Sequence, residues 1–112
     1  MIRRNKQEDM TVELKLQGKR ALVTGSSSGI GEAIATTLAK EGAIIVIHGR
    51  NAERAQRVLN TIQTNGGKAV IALGDLSSVE GAAAVVEQTL KTLGGIDILV
   101  NNAGGTDTGL AD

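Results

Sequence analysis

The chain has 112 residues, 12 basic and 12 acidic, and neither an aromatic residue nor a cysteine. Zero formal net charge gives no electrostatic basis for binding nucleic acid or an anionic membrane, and the lack of cysteine excludes disulfides, thiolate chemistry and thiolate metal sites. Any core must be built of Ile, Val, Leu and Ala, and one histidine, His48, is too few for a histidine-based metal site.

Residues 1–12 read as a frayed, solvated tail: "MIRRNKQED" carries Arg3, Arg4 and Lys6 but lacks the apolar stretch of a signal peptide. Met10 offers a second possible start. No apolar run approaches the roughly 18 residues that span a bilayer, so a cytoplasmic location is expected. Glycine, 15 residues in all, falls between periodic segments and punctuates them. "RALVT" (Arg20 to Thr24) is a short strand. Ile30 to Lys40 follows as a helix, with Ile30, Ile34 and Leu38 as its predicted buried stripe and Gly42 as its stop. "AIIVIH" (Ala43 to His48) is an apolar, β-branched run of the kind buried on both faces of a sheet. Asn51 caps a second helix striped by Ala55, Val58, Leu59 and Ile62 and ended by Asn65-Gly66. "KAVIALG" is the third strand. Ser77 and Glu80 form a capping box for a third helix carrying Val86, Leu90 and Leu93 and closed by Gly94-Gly95. "DILVNNAG" is the fourth strand and the loop leaving it.

This order, β-α-β-α-β-α-β, predicts an α/β fold: a Rossmann-type doubly wound parallel sheet in the order 3-2-1-4. Right-handed crossovers place the first two helices on one face and the third on the other. The apolar fourth strand is left at a sheet edge, an aggregation liability, so residues 13–112 read as a partial domain truncated after that strand.

The turn between the first strand and helix holds Gly25, Gly29 and Gly31, a G-x-x-x-G-x-G pattern. Its spacing differs from the common G-x-G-x-x-G dinucleotide pattern, and Glu32 stands where an NTPase loop needs Lys-Ser/Thr. The physics is shared. Glycines let the backbone approach a pyrophosphate, and the unpaired N–H groups and dipole of a helix start favour its charge. Ser26, Ser27 and Ser28 add hydroxyls there. The alternative is that these glycines only permit tight packing.

Arg50 stands nineteen residues beyond Gly31, where an NAD-binding fold has an acid for the ribose hydroxyls. A carboxylate would repel a 2′-phosphate and a guanidinium would bind it, which favours NADP(H). His48 reads as a strand-end residue with no catalytic role. Asp75 suits two roles, acceptor for an adenine amino group or first residue of the turn before the third helix. "NNAG" (Asn101 to Gly104) lies where open α/β sheets bind ligands. It reads either as a plain turn or as a pair of asparagines tying strand ends together.

Taken together, "TGSSSGIG" (T-G-x-x-x-G-x-G), Arg50, Asp75-Leu76 and "NNAG" resemble the short-chain dehydrogenase/reductase family over about residues 16–105, and most closely its 3-oxoacyl-(acyl-carrier-protein) reductase type. The resemblance implies that Gly25, Gly29 and Gly31 lie against the pyrophosphate, with Ser26, Ser27, Ser28 and Ile30 lining the loop. It implies that Arg50, with Asn51, takes the 2′-phosphate and that Asp75 and Leu76 flank the adenine. Asn101, Ala103 and Gly104 would lie on the adenosine side and central sheet. Family chemistry also uses a Ser and a Tyr-x-x-x-Lys on later elements. This chain contains no tyrosine, so no catalytic residue is assigned and the chain alone is expected to be inactive.

Three readings follow: the NADP(H)-binding N-terminal portion of a carbonyl or alcohol oxidoreductase, a non-catalytic NADP(H)-binding module, or a fragment without function. Substrate and oligomeric state are not legible, although full-length relatives are usually homo-oligomers.

Overall fold

The computed structural model describes residues 16–102. Four strands, β1 (Arg20–Val23), β2 (Ile44–Gly49), β3 (Lys68–Leu73) and β4 (Ile98–Val100), alternate with three helices, α1 (Gly29–Lys40), α2 (Ala52–Thr64) and α3 (Val79–Leu93). The strands form one parallel sheet in the order β3-β2-β1-β4, as the sequence predicts. In register, Leu22 sits beside Val46 and Leu99, and Val46 beside Val70.

Strand side chains alternate between two cores. Ala21, Val23, Ile45 and Ile47 pack with Ala35 and Ala39 of α1 and Ala55, Val58 and Ile62 of α2. Leu22, Val46 and Ala72 face the opposite way and meet Val85 of α3. The sheet is therefore wound on both sides, with α1 and α2 sharing a face. β2 lies between two strands and two helical layers, which is why Ile45, Val46 and Ile47 are all fully buried.

The stripe predicted for α2 is the one that packs. The other two helices sit rotated by one residue. In α1 the buried line is Gly31, Ala35 and Ala39. Ile34 and Leu38 flank it, while Ile30 is 74% exposed. In α3 the buried residues are Val85 and Thr89 rather than the larger Val86 and Leu90 of the apolar pattern, which are about half exposed, while Leu93 packs partly buried against the α3-side core. Hydrophobicity alone misleads here, because small residues let these helices approach the sheet closely. A buried threonine is tolerated because its Oγ1–H donates to the Val85 carbonyl at 2.9 Å.

The N-cap of α3 is also one residue later than predicted. Ser78, not Ser77, accepts the Gly81 N–H on its Oγ at 2.9 Å. Ser77 is instead drawn back to Asp75. At the other end of the sheet, Arg20 forms a forked ion pair with Asp97, Nε to Oδ2 at 2.9 Å and Nη2 to Oδ1 at 3.0 Å. Its Nη1–H also donates to the last-turn carbonyl of Leu93 at 3.2 Å. This clamps the start of β1 to the α3–β4 connection.

Candidate functional site

The carboxyl ends of all four strands meet at one edge of the sheet, and the β1–α1 turn lies at its centre. Its first residues extend the strand pairing. Thr24 N–H donates to the Val100 carbonyl at 3.0 Å and Ser26 N–H to the His48 carbonyl at 2.8 Å. Gly25 and Gly29 then adopt φ of 65° and 61°, the left-handed backbone that reverses the chain into α1. Gly31, in the first turn of the helix, sits directly over the Gly25 carbonyl, where a Cβ would find no room. The absence of a side chain at Gly31 is what lets α1 start so near the strand end.

The three helix starts differ. In α2, Asn51 Oδ1 accepts the Arg54 N–H at 2.8 Å, and in α3 Ser78 caps Gly81 as described. In α1, Ser28 occupies the N-cap position in extended conformation (φ −166°) but makes no side-chain cap. Among the described residues, no acceptor is formed for the N–H groups of Gly29, Ile30 and Gly31. Three amides therefore converge without a partner at the positive end of a helix dipole, the arrangement that suits an anion.

The three serines are not equivalent, contrary to the sequence reading of all three as added donors. Ser26 is fully buried and its Oγ accepts the His48 N–H at 2.9 Å. Ser27 is also buried and packs against Gly49, where a Cβ would come within 2.5 Å of its Oγ. Only Ser28 is exposed at the turn.

Around this turn stand the other predicted residues. Arg50 is exposed, immediately after β2. Asn51 spends its oxygen on the α2 cap. Asp75 Oδ1 accepts both the Ser77 hydroxyl at 2.7 Å and the Ser77 N–H at 2.9 Å. These bonds hold its carboxyl below the usual carboxylate range, and the nearby Arg50 guanidinium adds to the effect. Of its two proposed roles, the turn-forming one is thus visible. The Leu76 side chain packs partly buried against the α3-side core. Asn102 Nδ2–H donates to the Gly25 carbonyl at 3.3 Å and Thr24 Oγ1–H to Asn101 Oδ1 at 3.4 Å, so the asparagines do tie strand ends together. Ala103 and Gly104 lie outside the described residues.

Two participants escape a sequence reading. His48 is 4% exposed and lies between two turns. Its Nδ1 accepts the Gly25 N–H at 2.8 Å and its Nε2 faces the Gly74 carbonyl at 2.9 Å. An Nδ1 that accepts from an amide carries no proton, so Nε2–H is the donor to Gly74. A polar ring ending a doubly buried strand must find partners, and that was the available signal. Arg57 of α2 pairs with Glu32 of α1 at 3.3 Å and reaches the Ser27 carbonyl at 3.5 Å, bracing the turn from outside. No signal in the sequence connects those residues.

Among the described residues no group of three or more His, Cys, Asp or Glu side chains could hold a metal ion, and no helix is long and apolar enough to cross a membrane. A doubly wound parallel sheet with a glycine-bounded, uncapped helix start at the switch in strand order defines a Rossmann-type domain. The chain belongs to the short chain dehydrogenase family, whose model matches residues 19–112. It is 44% identical over 92 residues to the 7alpha-hydroxysteroid dehydrogenase of Escherichia coli K12, covering 82% of this chain and 36% of that enzyme. It superposes with a TM-score of 0.78 and 42% identity on L-sorbose reductase from Gluconobacter frateurii, solved with NADPH and L-sorbose, covering 88% of this chain and 40% of that one. A gluconate 5-dehydrogenase from Burkholderia cenocepacia, solved with NADP and tartrate, matches at TM-score 0.74 and 42% identity over 80% of this chain and 35% of its own. The chain thus spans little more than a third of the length of the relatives it matches. These relatives establish the family and do not single out its 3-oxoacyl-(acyl-carrier-protein) reductase type.

Proposed function

We propose that this chain binds NADP(H) at the carboxyl edge of its sheet and serves as the cofactor-holding portion of an oxidoreductase acting on a carbonyl or alcohol. The observation that carries this reading is the α1 start, three unpartnered amides beside a turn in which Gly31 has no room for a Cβ. A diphosphate fits that donor set, because amides and dipole act on the same charge. Gly25, Gly29 and Gly31 form the cradle, Ser28 adds a hydroxyl, and Ser26 and Ser27 support it from inside. Arg50 takes the 2′-phosphate and the Asn51 amide nitrogen assists. Asp75 and Leu76 border the adenine, with Asn101, Ala103 and Gly104 on the adenosine side. The relatives solved with NADPH and NADP support the choice of cofactor.

The bound nicotinamide would supply the hydride exchanged with a substrate carbon. The residues of this chain bind and orient the cofactor. No catalytic residue is assigned among the residues of this chain, and a second reading is a module that holds NADP(H) without turnover. Residues 13–112 form the cofactor-binding unit in either case.

Thermal unfolding with added dinucleotide tests the shared claim. NADPH at saturating concentration should raise the midpoint by several degrees and NADH should raise it less. Equal response to both removes the phosphate-binding role of Arg50, and no response to either removes the cofactor reading. Oxidation of NADPH in the presence of simple ketones by the 112-residue chain would contradict the assignment of no catalytic residue to it.

A further inference from the structure

The imidazole of His48 is buried behind the proposed ligand surface and joins the turn after β1 to the turn after β3. Gly25 begins the phosphate-side turn, and Gly74 precedes Asp75 on the adenine side. The ring accepts from the first at 2.8 Å and donates to the second at 2.9 Å. It is itself held by both of its backbone groups, its N–H on Ser26 Oγ and its carbonyl on the Ser26 N–H. A strand end buried to this degree would be filled more simply by valine or isoleucine, which present no polar atoms to satisfy.

We propose that His48 is a positioning residue that fixes the spacing of the two turns, so that a ligand spanning both is bound as one unit. The proposal rests on the cofactor reading above and assigns it a determinant beyond the surface that touches ligand. The imidazole is flat and rigid, so its two nitrogens transmit a fixed separation through one side chain. The neutral Nε2–H tautomer is the only one that satisfies both partners. Removing the ring breaks this link between the turns and takes the partner from two part-buried backbone groups, the Gly25 N–H and the Gly74 carbonyl.

The test compares the 112-residue chain with His48→Leu, His48→Asn and His48→Gln. An Asn amide can occupy the Nδ1 position and keep the Gly25 bond, and a Gln amide can occupy the Nε2 position and keep the Gly74 bond. Three probes separate the turns: NADPH engages both, inorganic pyrophosphate only the first, and adenosine 2′-monophosphate only the second. His48→Leu should weaken NADPH binding about tenfold or more and change the two half-ligands less than about threefold. His48→Asn and His48→Gln, each keeping one bond and losing the link, should weaken NADPH binding as His48→Leu does and leave the half-ligand of the retained turn unchanged. If all three probes weaken alike, or NADPH binding stays within about threefold of the parent in a folded His48→Leu chain, the proposal is overturned. If His48→Leu does not fold, the Asn and Gln variants decide in the same way.

Hydrogen exchange at the Gly25 amide distinguishes this failure from failure of the cofactor reading. It should accelerate about tenfold or more in His48→Leu and His48→Gln and be retained in His48→Asn. A parent chain that binds no NADPH but shows this exchange pattern loses the cofactor reading and keeps the linkage between the turns. Unchanged exchange in His48→Leu overturns the linkage itself.

Discussion

Gly31 rests on the Gly25 carbonyl so closely that a methyl group there would collide with that oxygen and approach Asn102 Nδ2 to 2.8 Å. Two glycines six positions apart thus bring a helix start, a strand end and the β4 loop into one contact. The obstructing atoms belong largely to backbone and cannot swing aside. Gly31→Ala should lower stability by about 1–3 kcal/mol, the usual cost of overpacking, and weaken NADPH binding about tenfold or more because the amides move. Urea unfolding and a fluorescence titration read the two effects separately.

Arg50 is exposed and sits where β2 meets α2, so its substitution should leave folding unchanged. Arg50→Ala should weaken NADPH binding about 10- to 100-fold, the loss of a charge-assisted contact, with little change in NADH affinity. Arg50→Glu should reverse the preference. Isothermal titration with both cofactors measures this, and a parallel loss for NADPH and NADH would place the arginine elsewhere than at the 2′-phosphate.

Asp97 is held well below the ordinary carboxylate range by its hydrogen bonds from Arg20 and the ion pair between them. A lowered folded pKa means stability that is present above the ordinary aspartate value of about 4 and is lost as pH falls through the folded value. Asp75, lowered by Ser77, acts in the same direction. Stability should therefore fall on acidification below about pH 4. Asp97→Asn should lower the midpoint at pH 7 and flatten this acid limb. Urea midpoints collected between pH 2.5 and 7 check the sign.

Gln88 of α3 closes a gap in the sheet edge. Its Oε1 accepts the Leu73 N–H at 3.0 Å and its Nε2–H donates to the Leu73 carbonyl at 2.8 Å. β3 is an edge strand, so without this amide both backbone groups lose their partner. Gln88→Ala should cost about 1–3 kcal/mol. Gln88→Glu can keep both the acceptor and a donor while its carboxyl is protonated, and when ionised it loses the donor and sets a second acceptor against the Leu73 carbonyl, so it should cost more at neutral than at acid pH.

The rotation of α3 leaves Val79, Val86 and Leu90 outside, and Leu99 is 62% exposed on the edge strand β4. The apolar face that Val79, Val86 and Leu90 form on α3 promotes association. Val86→Gln with Leu90→Gln should raise the concentration at which the chain remains monomeric without shifting its urea midpoint, as sedimentation would show.

The strand order and the faces assigned to the helices were legible because β-branched runs and glycine stops act locally. Ile44–Gly49 could hardly form anything but an interior strand. The Asn51 cap was legible for the same reason. The rotation of α1 and α3 was not, since Gly31, Ala35 and Thr89 are buried for closeness to the sheet rather than for hydrophobicity. The Ser78 cap was hidden by two adjacent serines of equal propensity. His48 and the Arg57–Glu32 brace are tertiary facts, set by residues more than twenty positions apart.

Amide chemical shifts followed by NMR during titration with NADPH test the central claim most directly. Saturable changes concentrated at Gly25 and Gly29–Gly31, with a second group at Arg50 and Asn51, are the expected result. Saturable changes centred away from the α1 start, or none at millimolar ligand in the folded chain, would contradict it.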